Sequence, residues 1–320
     1  MYRITNFTSN TMAWDELLAE VEYVRGLYRT HKIPLKQGEG LTAALDEAEA
    51  LARGTISTSA PTASVVRAST HDAHVVWALS KNLRACVDGG LELVDHLKRI
   101  TTGTTDYGEP RAPGAAHAIY FKDFECELFI AASLVRGGRA PTFLADAGDP
   151  SGELDVDGLR IEVKHPDSGD NLEKLMRKFH SELKKRDLYG VFVVGLEDAF
   201  KLADTEVFAD VDEFERWKSA KLDAIEAFGR RMLRRAARLP RILGTVQTTT
   251  EVQHIGNESR LVRLSNGCLL DIRNGVPEAS FAATERVLRV FNPNFRRYSV
   301  IKAVVEGPEP PQGGADDADE

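Results

Sequence analysis

Apolar residues recur every three or four positions through most of the first hundred residues. At residues 12–31, and again at residues 41–53, this spacing predicts amphipathic helices that each have one apolar side. A longer helical region is predicted at residues 71–100 and is interrupted by a pair of glycines. We therefore expect residues 1–110 to form a small helical domain.

The pattern changes after a segment rich in glycine and proline, which we interpret as a linker. Helices and strands are then predicted to alternate: a helix at residues 121–135, strands at 142–144, 153–156 and 159–164, a helix at 172–186, and an apolar strand at 189–194. A polar helix at 210–239, a strand at 242–252 and a hairpin turning at Asn266-Gly267 follow. This order predicts an α/β (α+β) core over residues 111–305. The acidic tail at residues 306–320 is expected to be disordered.

An acidic hairpin is predicted at residues 152–164, where polar and apolar residues alternate strictly. Asp157-Gly158 is typical of a two-residue turn, and the alternation then places Glu153 directly across from Glu162. Like charges opposite each other destabilise a strand pair, so a counter-charge is expected. Mg²⁺ or Mn²⁺ would supply it, because carboxylate oxygens suit hard divalent cations. A polar face that is simply solvated explains the alternation equally well.

The charge and the cysteine content of the chain limit the classes of protein to which it can belong. Six of the 49 acidic residues lie in the last fifteen positions, where there is no basic residue, so the net charge of −8 leaves about −2 for the rest of the chain. A nearly neutral body does not by itself indicate nucleic-acid binding, but it permits a local basic face. The 3 cysteines are too far apart for a disulfide framework, and no apolar run is long enough for a membrane span. We expect a cytoplasmic protein without a membrane partner.

The triplet Glu162-Val163-Lys164 ends a predicted strand, and Asp155 precedes it. The arrangement resembles the E-x-K motif of the PD-(D/E)XK nuclease superfamily. The acid-bearing helix before it, and the helix and strand after it, resemble other parts of that superfamily's restriction-endonuclease-like αβββαβ core. The proline of the superfamily's name is missing. The interval from Asp155 to Glu162 is also shorter than usual, so Glu153 is an alternative first acid.

The resemblance implies hydrolysis of a nucleic-acid phosphodiester with Mg²⁺ or Mn²⁺, with DNA favoured over RNA and a role in restriction, defence or repair. The implied metal ligands are Asp155, Glu162, the Val163 carbonyl and, as the alternative, Glu153. Lys164 would position the attacking water, and Glu127 would orient that lysine or a water, with Glu125 as the other candidate on its helix. The alternative function is a catalytically inactive nuclease-fold module that binds nucleic acid or protein. A protein-binding scaffold without metal dependence is the third hypothesis.

Basic residues cluster in two predicted helices after the motif. The helix at 172–186 mixes basic residues with acids, whereas residues 229–241 hold six arginines and no acid. Arginine at that density suits phosphate groups, to which it can donate two hydrogen bonds at once. The candidate nucleic-acid contacts are Lys178, Arg231, Arg234 and Arg235. Helix faces that are merely solvated are the alternative, and the N-terminal helices are candidates for contact with a second copy or another protein.

Overall fold

The computed structural model of the chain describes residues 6–10, 14–38, 40–54, 63–101, 105, 121–144, 152–166, 169–197, 205–255, 258–270, 275–292 and 297–298. The helices are α1 (Trp14–Thr30), α2 (Gly40–Ala52), α3 (Ala63–Asp88), α4 (Val94–Ile100), α5 (Phe121–Arg136), α6 (Gly169–Lys185), α7 (Val211–Ala236) and α8 (Glu278–Phe291). The strands are β1 (Asn6–Asn10), β2 (Thr142–Phe143), β3 (Leu154–Val156), β4 (Leu159–Lys164), β5 (Tyr189–Gly195), β6 (Thr205–Phe208), β7 (Ile242–Ile255), β8 (Glu258–Leu270) and β9 (Arg297–Tyr298). The fold is a mixed α/β arrangement, as the sequence predicts.

The strands form a mixed sheet in the order β1-β8-β7-β5-β4-β3-β2, with β6 also paired to β7 and β9 to β8. The central strands β4, β5 and β7 run parallel. On either side of them, β3 is antiparallel to β4 and β8 is antiparallel to β7. Because parallel strands end at the same edge of a sheet, the residues just beyond β4 and β5 lie side by side.

Helices cover both faces of the sheet, and the alternation within β5 separates the two faces. Val191 and Val193 belong to a core that includes residues of α1 to α5 and α8. Phe192 and Val194 lie on the opposite face and pack with α6 and α7. Burial on both faces explains why β5 is apolar at successive positions instead of alternating.

Several predicted elements are confirmed. Helices predicted at residues 12–31, 41–53 and 121–135 correspond to α1, α2 and α5. The long helical region breaks where expected, because Gly90 takes a left-handed conformation, with φ of 73°, between α3 and α4. The sequence did not predict β1, β6 or α8. None of the helices formed by the described residues combines the length and the apolar content needed to cross a bilayer.

The apolar core crosses the boundary that the sequence suggested near residue 110. Leu17 and Leu45 of the N-terminal helices belong to the same cluster of buried side chains as Leu154 and Ile161 of the acidic hairpin. Residues 106–120, and the predicted tail at 306–320, lie outside the described part of the chain. The division into domains and the restriction-endonuclease-like arrangement of the core therefore stay predictions.

The hairpin predicted at Asn266-Gly267 is wrong. Both residues lie inside β8, where Gly267 pairs with Val246, and the β7–β8 ladder closes instead where Ile255 pairs with Glu258. Gly267 allows close packing against α8 and does not form a turn. A Cβ atom at Gly267 would lie 3.3 Å from the Leu288 carbonyl oxygen of α8, so its absence lets the helix approach the strand closely.

Replacing Gly190 tests the close packing of β4, β5 and α6. An alanine Cβ at this position would lie 2.7 Å from the Arg160 carbonyl oxygen and 2.6 Å from Phe179 Cζ. We expect Gly190→Ala to lower the free energy of unfolding by about 1–3 kcal/mol, because backbone atoms cannot move aside cheaply. Gly26→Ala in α1 is the matched control: its Cβ would meet only Arg29 Nη2, at 3.9 Å, and it should stabilise the helix by up to about 1 kcal/mol. Urea denaturation of both variants measures the difference, and equal midpoints would contradict the described packing.

Candidate active site

The acidic hairpin adopts the predicted register. The pairs across β3 and β4 are Leu154 with Ile161, Asp155 with Arg160, and Val156 with Leu159. Asp157 and Gly158 have φ of 54° and 76°, the positive values that a type I′ turn requires. The regular ladder begins at Leu154, and the backbone N–H of Glu153 donates to the Ile161 carbonyl at 2.8 Å. Glu153 therefore lies just outside the ladder instead of directly across from its expected partner.

Lys164 lies between the two glutamates that the sequence predicts to repel each other. Its Nζ is 2.6 Å from Glu153 Oε1 and 2.9 Å from Glu162 Oε1. Glu162 is only 8% exposed, so water screens these charges weakly. The predicted crowding of negative charge is thus offset, at least in part, by an ammonium group of the chain itself.

Glu127 reaches the same region from α5. It is buried, and its Oε2 lies 3.0 Å from Nε2 of His96 in α4. Together with Glu153 it lines a cavity of about 130 Å³. The described walls of this cavity are Glu92, Asp95, His96, Arg99, Glu127, Phe143, Leu144 and Glu153. Because acids outnumber bases in these walls, the cavity favours cations. We refer to Glu127, Glu153, Glu162 and Lys164 as the acid cluster.

Burial raises the pKa values of two carboxyls in the acid cluster. It is the largest influence on Glu162, whose pKa rises to about 7 although the Lys164 charge lowers it. Burial also raises the pKa of Glu127, against the hydrogen bond with His96, and the negative charge of Glu153 adds to the effect. Burial would lower the pKa of Lys164, but Glu162 and Glu153 raise it instead. Burial is thus the main reason that these two carboxyls hold their protons more strongly than usual.

Asp155, the first choice for the acid that precedes the triplet, lies closer to the turn. Its Oδ2 is 3.1 Å from Arg160 Nη1, and its Oδ1 accepts a hydrogen bond from the Gly158 N–H at 3.2 Å. No contact between described residues joins Asp155 to Lys164. The structure thus brings Glu153, the alternative acid, to the lysine.

Two residues of α5 were alternatives for the helical acid, and they face opposite ways. Glu125 is 1% exposed and accepts hydrogen bonds from Arg263 Nη2 at 2.8 and 2.9 Å. It also accepts one from Asn82 Nδ2 at 3.1 Å. Residues that are two positions apart on a helix lie on nearly opposite sides of it. Glu127, the favoured candidate, is therefore the one directed toward Glu153 and Lys164.

The oxygen donors of the acid cluster suit Mg²⁺ or Mn²⁺. Among the described residues, no three His, Cys, Asp or Glu side chains come together closely enough to form a ligand set. Mg²⁺ needs fewer, because it keeps several waters and takes one or two carboxylates. Glu153 and Glu162 can provide those two, because both carboxylates lie next to Lys164 Nζ. Val163, whose carbonyl the resemblance adds, lies between Glu162 and Lys164 in β4 with its side chain buried.

A second polar cluster lies directly beside Lys164. From the sequence, His165 is expected at the rim of the site or in a loop, but its two carboxylate partners are not predicted, and the structure buries the histidine. His165 Nδ1 is 3.2 Å from Asp123 Oδ1, and its Nε2 is 3.4 Å from Glu197 Oε2. Burial would lower the pKa of His165, but Cys126 and the two carboxylates raise it well above the usual value. Gly195 makes room for the ring, because a Cβ there would lie 1.9 Å from Nε2. The cluster anchors the end of β4 to α5.

One signal for that second cluster is present in the sequence. Glu197 comes two residues after an apolar strand that runs parallel to β4, so both strands end at the same edge of the sheet. No comparable local signal exists for His96, which reaches Glu127 only through the packing of α4 on α5.

The candidate nucleic-acid contacts lie on α6 and α7, which pack on the same face of the sheet. Lys178 is exposed on α6, whereas the three arginines are half-buried on α7. Arg231 lies over the Phe228 ring at 5.5 Å, and Arg235 Nε is 3.9 Å from Glu173 Oε2 of α6. Arg235 is therefore the candidate for which a described contact links α7 to α6.

No family model, curated protein or solved structure matches this chain. The resemblance to the PD-(D/E)XK superfamily therefore stays a prediction from the residues, and function has to be argued from the geometry.

Glu162 should make the fold less stable as pH rises from about 4.5 to about 7. Over that window the unfolded carboxyl has lost its proton while the folded one keeps it, so the native state binds more protons and its stability falls with increasing pH. The shift corresponds to about 3 kcal/mol at most.

Glu162→Gln should remove this loss, so that the variant is more stable than the unmodified protein at pH 8 but not at pH 4.5. Urea denaturation at both pH values, with a chelator present, measures the effect. The control is Glu215→Gln, at a side chain 52% exposed on α7, which should leave the pH dependence unchanged. A pH dependence that is the same in Glu162→Gln as in the unmodified protein would contradict the described burial of this carboxyl.

Proposed function

We propose that the chain is a Mg²⁺-dependent hydrolase of nucleic-acid phosphodiesters, with DNA as the favoured substrate. The observation that supports this most is the acid cluster, in which two carboxylates meet one ammonium group and a third carboxylate stands close by. Buried carboxylates are costly when unpaired. Buried carboxyls with raised pKa values beside a charged partner mark a candidate functional site.

In the proposed reaction Glu153 and Glu162 hold the metal ion. When bound, the ion acts as a Lewis acid on a phosphoryl oxygen and lowers the pKa of its water. Lys164 would then balance less carboxylate charge than it does in the absence of the ion. The ammonium group of Lys164 orients the attacking water and stabilises negative charge on the phosphate. Glu127, with its raised pKa and its bond to His96, exchanges a proton with that water.

The basic residues of α6 and α7 supply the contacts to the phosphate backbone in this proposal. Lys178 is exposed to solvent and provides one positive charge. Each of the three arginines of α7 has a planar guanidinium that can bind one phosphate through two hydrogen bonds. Contacts of this kind position a nucleic acid without reading its sequence. The proposed enzyme therefore binds its substrate in a way that depends on salt and little on sequence.

A catalytically inactive nuclease-fold module is the second candidate, and one observation favours it. The ammonium group of Lys164 already contacts both Glu153 and Glu162. A lysine in that position stabilises the hairpin without any metal ion. Under this second proposal the acid cluster is structural, and only the basic helices contact a partner.

Four substitutions test the proposed catalytic site and decide which acid precedes the triplet. We expect Glu162→Gln, Lys164→Met and Glu153→Gln each to lower Mg²⁺-dependent cleavage of a supercoiled plasmid and of single-stranded DNA by at least about 100-fold. Asp155→Asn should retain most of the activity, because that carboxylate contacts the turn and not the lysine.

Each variant is first checked for folding by circular dichroism and urea denaturation, and Glu215→Gln is the surface control. Mg²⁺ binding by calorimetry without cleavage of either DNA would favour the inactive module. Unimpaired cleavage by Lys164→Met would remove the proposed site altogether.

A triple substitution tests the basic helices. Arg231→Gln, Arg234→Gln and Arg235→Gln together should weaken binding to duplex DNA and flatten its salt dependence by about 0.9 in log–log slope for each phosphate that the arginines neutralise in the unmodified protein. Fluorescence anisotropy over a range of salt concentrations measures both. A double variant at two exposed arginines, Arg29→Gln in α1 with Arg53→Gln just after α2, is the control. A slope equal to that of the unmodified protein would assign the three arginines of α7 to packing.

A further inference from the structure

A cavity of about 320 Å³ lies between α3, α5 and β8, on the side of α5 away from Glu127. Its described lining residues are Trp77, Ala78, Lys81, Asn82, Phe129, Arg136, Leu261 and Arg263. Three of these are cationic, and no acid is among them. A volume near 300 Å³ is at the small end of the range for ligand sites. We refer to this space as the cationic cavity.

The cations of the cationic cavity are incompletely neutralised. Arg263 is buried and pairs with Glu125. Lys81 pairs with Glu20 at 2.9 Å. The guanidinium of Arg136 donates instead to neutral acceptors, the Lys81 carbonyl at 2.8 Å and the Asn82 side-chain oxygen at 3.1 Å. Glu20 also pairs with Arg84, so among the described residues two carboxylates face four cations, and the guanidinium of Arg136, an exposed residue, contacts neither carboxylate.

Arg136 also responds to the charge next to it. Partial removal from water lowers the pKa of its guanidinium, Cys86 raises it, and the Arg263 charge lowers it. The repulsion from Arg263 is the part that an anion in the cavity would relieve.

Trp77 lines the same wall, but its N–H is not available to a ligand. Its Nε1 has no hydrogen-bond partner in the described part of the chain and is shielded from solvent, so a ligand in the cavity does not reach it. The Arg136 guanidinium is therefore the donor that an oxyanion in the cavity would contact.

The rest of the cavity wall is apolar and partly aromatic. Phe129 and Leu261 line it, and the Arg263 guanidinium lies 4.0 Å from the centre of the Phe129 ring. Lys81 Nζ is 5.6 Å from the centre of the Trp77 ring. Aromatic walls beside cations suit a flat, electron-rich group that carries negative charge.

We propose that the cationic cavity binds a small anion in which a phosphate or carboxylate is attached to a flat ring. The oxyanion would accept hydrogen bonds from Arg136, while the ring packs against Phe129 and Leu261. The cavity is too small for a nucleic-acid strand, and it is separated from the acid cluster by the body of α5. This inference does not depend on the proposed hydrolase activity.

Calorimetric titration of the full chain tests the proposal with four probes. Benzoate and adenosine 5′-monophosphate carry a ring and an oxyanion, adenosine carries the ring alone, and inorganic phosphate carries the charge alone. We expect saturable binding of one molecule per chain for at least one of the first two. Adenosine and inorganic phosphate should each bind at least about 10-fold more weakly. Benzoate binding identifies a carboxylate ligand, and nucleotide binding a phosphate ligand.

Variants of the cavity decide where the anion binds. Arg136→Gln should weaken binding by about 10-fold or more, because it removes the charged donor to the oxyanion. Arg136→Lys keeps the charge and should bind with intermediate affinity, and it tests the site if Arg136→Gln does not fold. The matched control is Arg139→Gln, at a nearby arginine that bonds to the Gly137 carbonyl and is not among the described lining residues.

Three results would overturn the proposal. The first is failure of both ring-bearing anions to bind. The second is unchanged affinity in the Arg136 variants. The third is equal affinity for inorganic phosphate and for adenosine 5′-monophosphate, which would show that the apolar wall contributes nothing to binding.

Discussion

One ammonium group between two carboxylates holds the acid cluster together. Lys164 ends β4, and its Nζ reaches Glu153 on one side and Glu162 on the other. A charge taken out of water is tolerated only when oppositely charged groups surround it. The lysine therefore permits two negative groups to lie close together on a short hairpin. The same arrangement holds oxygen donors where a divalent cation could replace part of the lysine's role.

The helix α5 carries one residue of the acid cluster and one residue of each of two other polar contacts. Three consecutive residues of that helix point in different directions because each position turns by about 100°. Glu125 pairs with Arg263 beside the cationic cavity, and Glu127 belongs to the acid cluster. Cys126, between them, interacts with buried His165. Both candidate sites thus rest on one rigid element, which fixes their positions relative to each other.

The acidic hairpin was predictable because its chemistry is local. Asp157 and Gly158 specify the turn, and strict alternation then sets which residues pair. The choice between Glu153 and Asp155 was not predictable, since either acid lies within reach of a lysine on the next strand. Gly267 shows the limit of local composition, because packing against α8 overrides its turn-forming tendency. Strand β1 pairs with β8 from the far end of the sequence, and no local pattern could indicate that partner.

The pKa of the Glu162 carboxyl, measured with and without Mg²⁺, tests the central claim most directly. A ¹³C NMR titration of glutamate side chains can follow this group, with its resonance assigned by its absence in Glu162→Gln. The account predicts a pKa of about 7 without metal and a clearly lower value with saturating Mg²⁺, because a bound cation favours the ionised form. An ordinary value without metal would contradict the described burial, and an elevated value that Mg²⁺ leaves unchanged would contradict metal binding at this cluster.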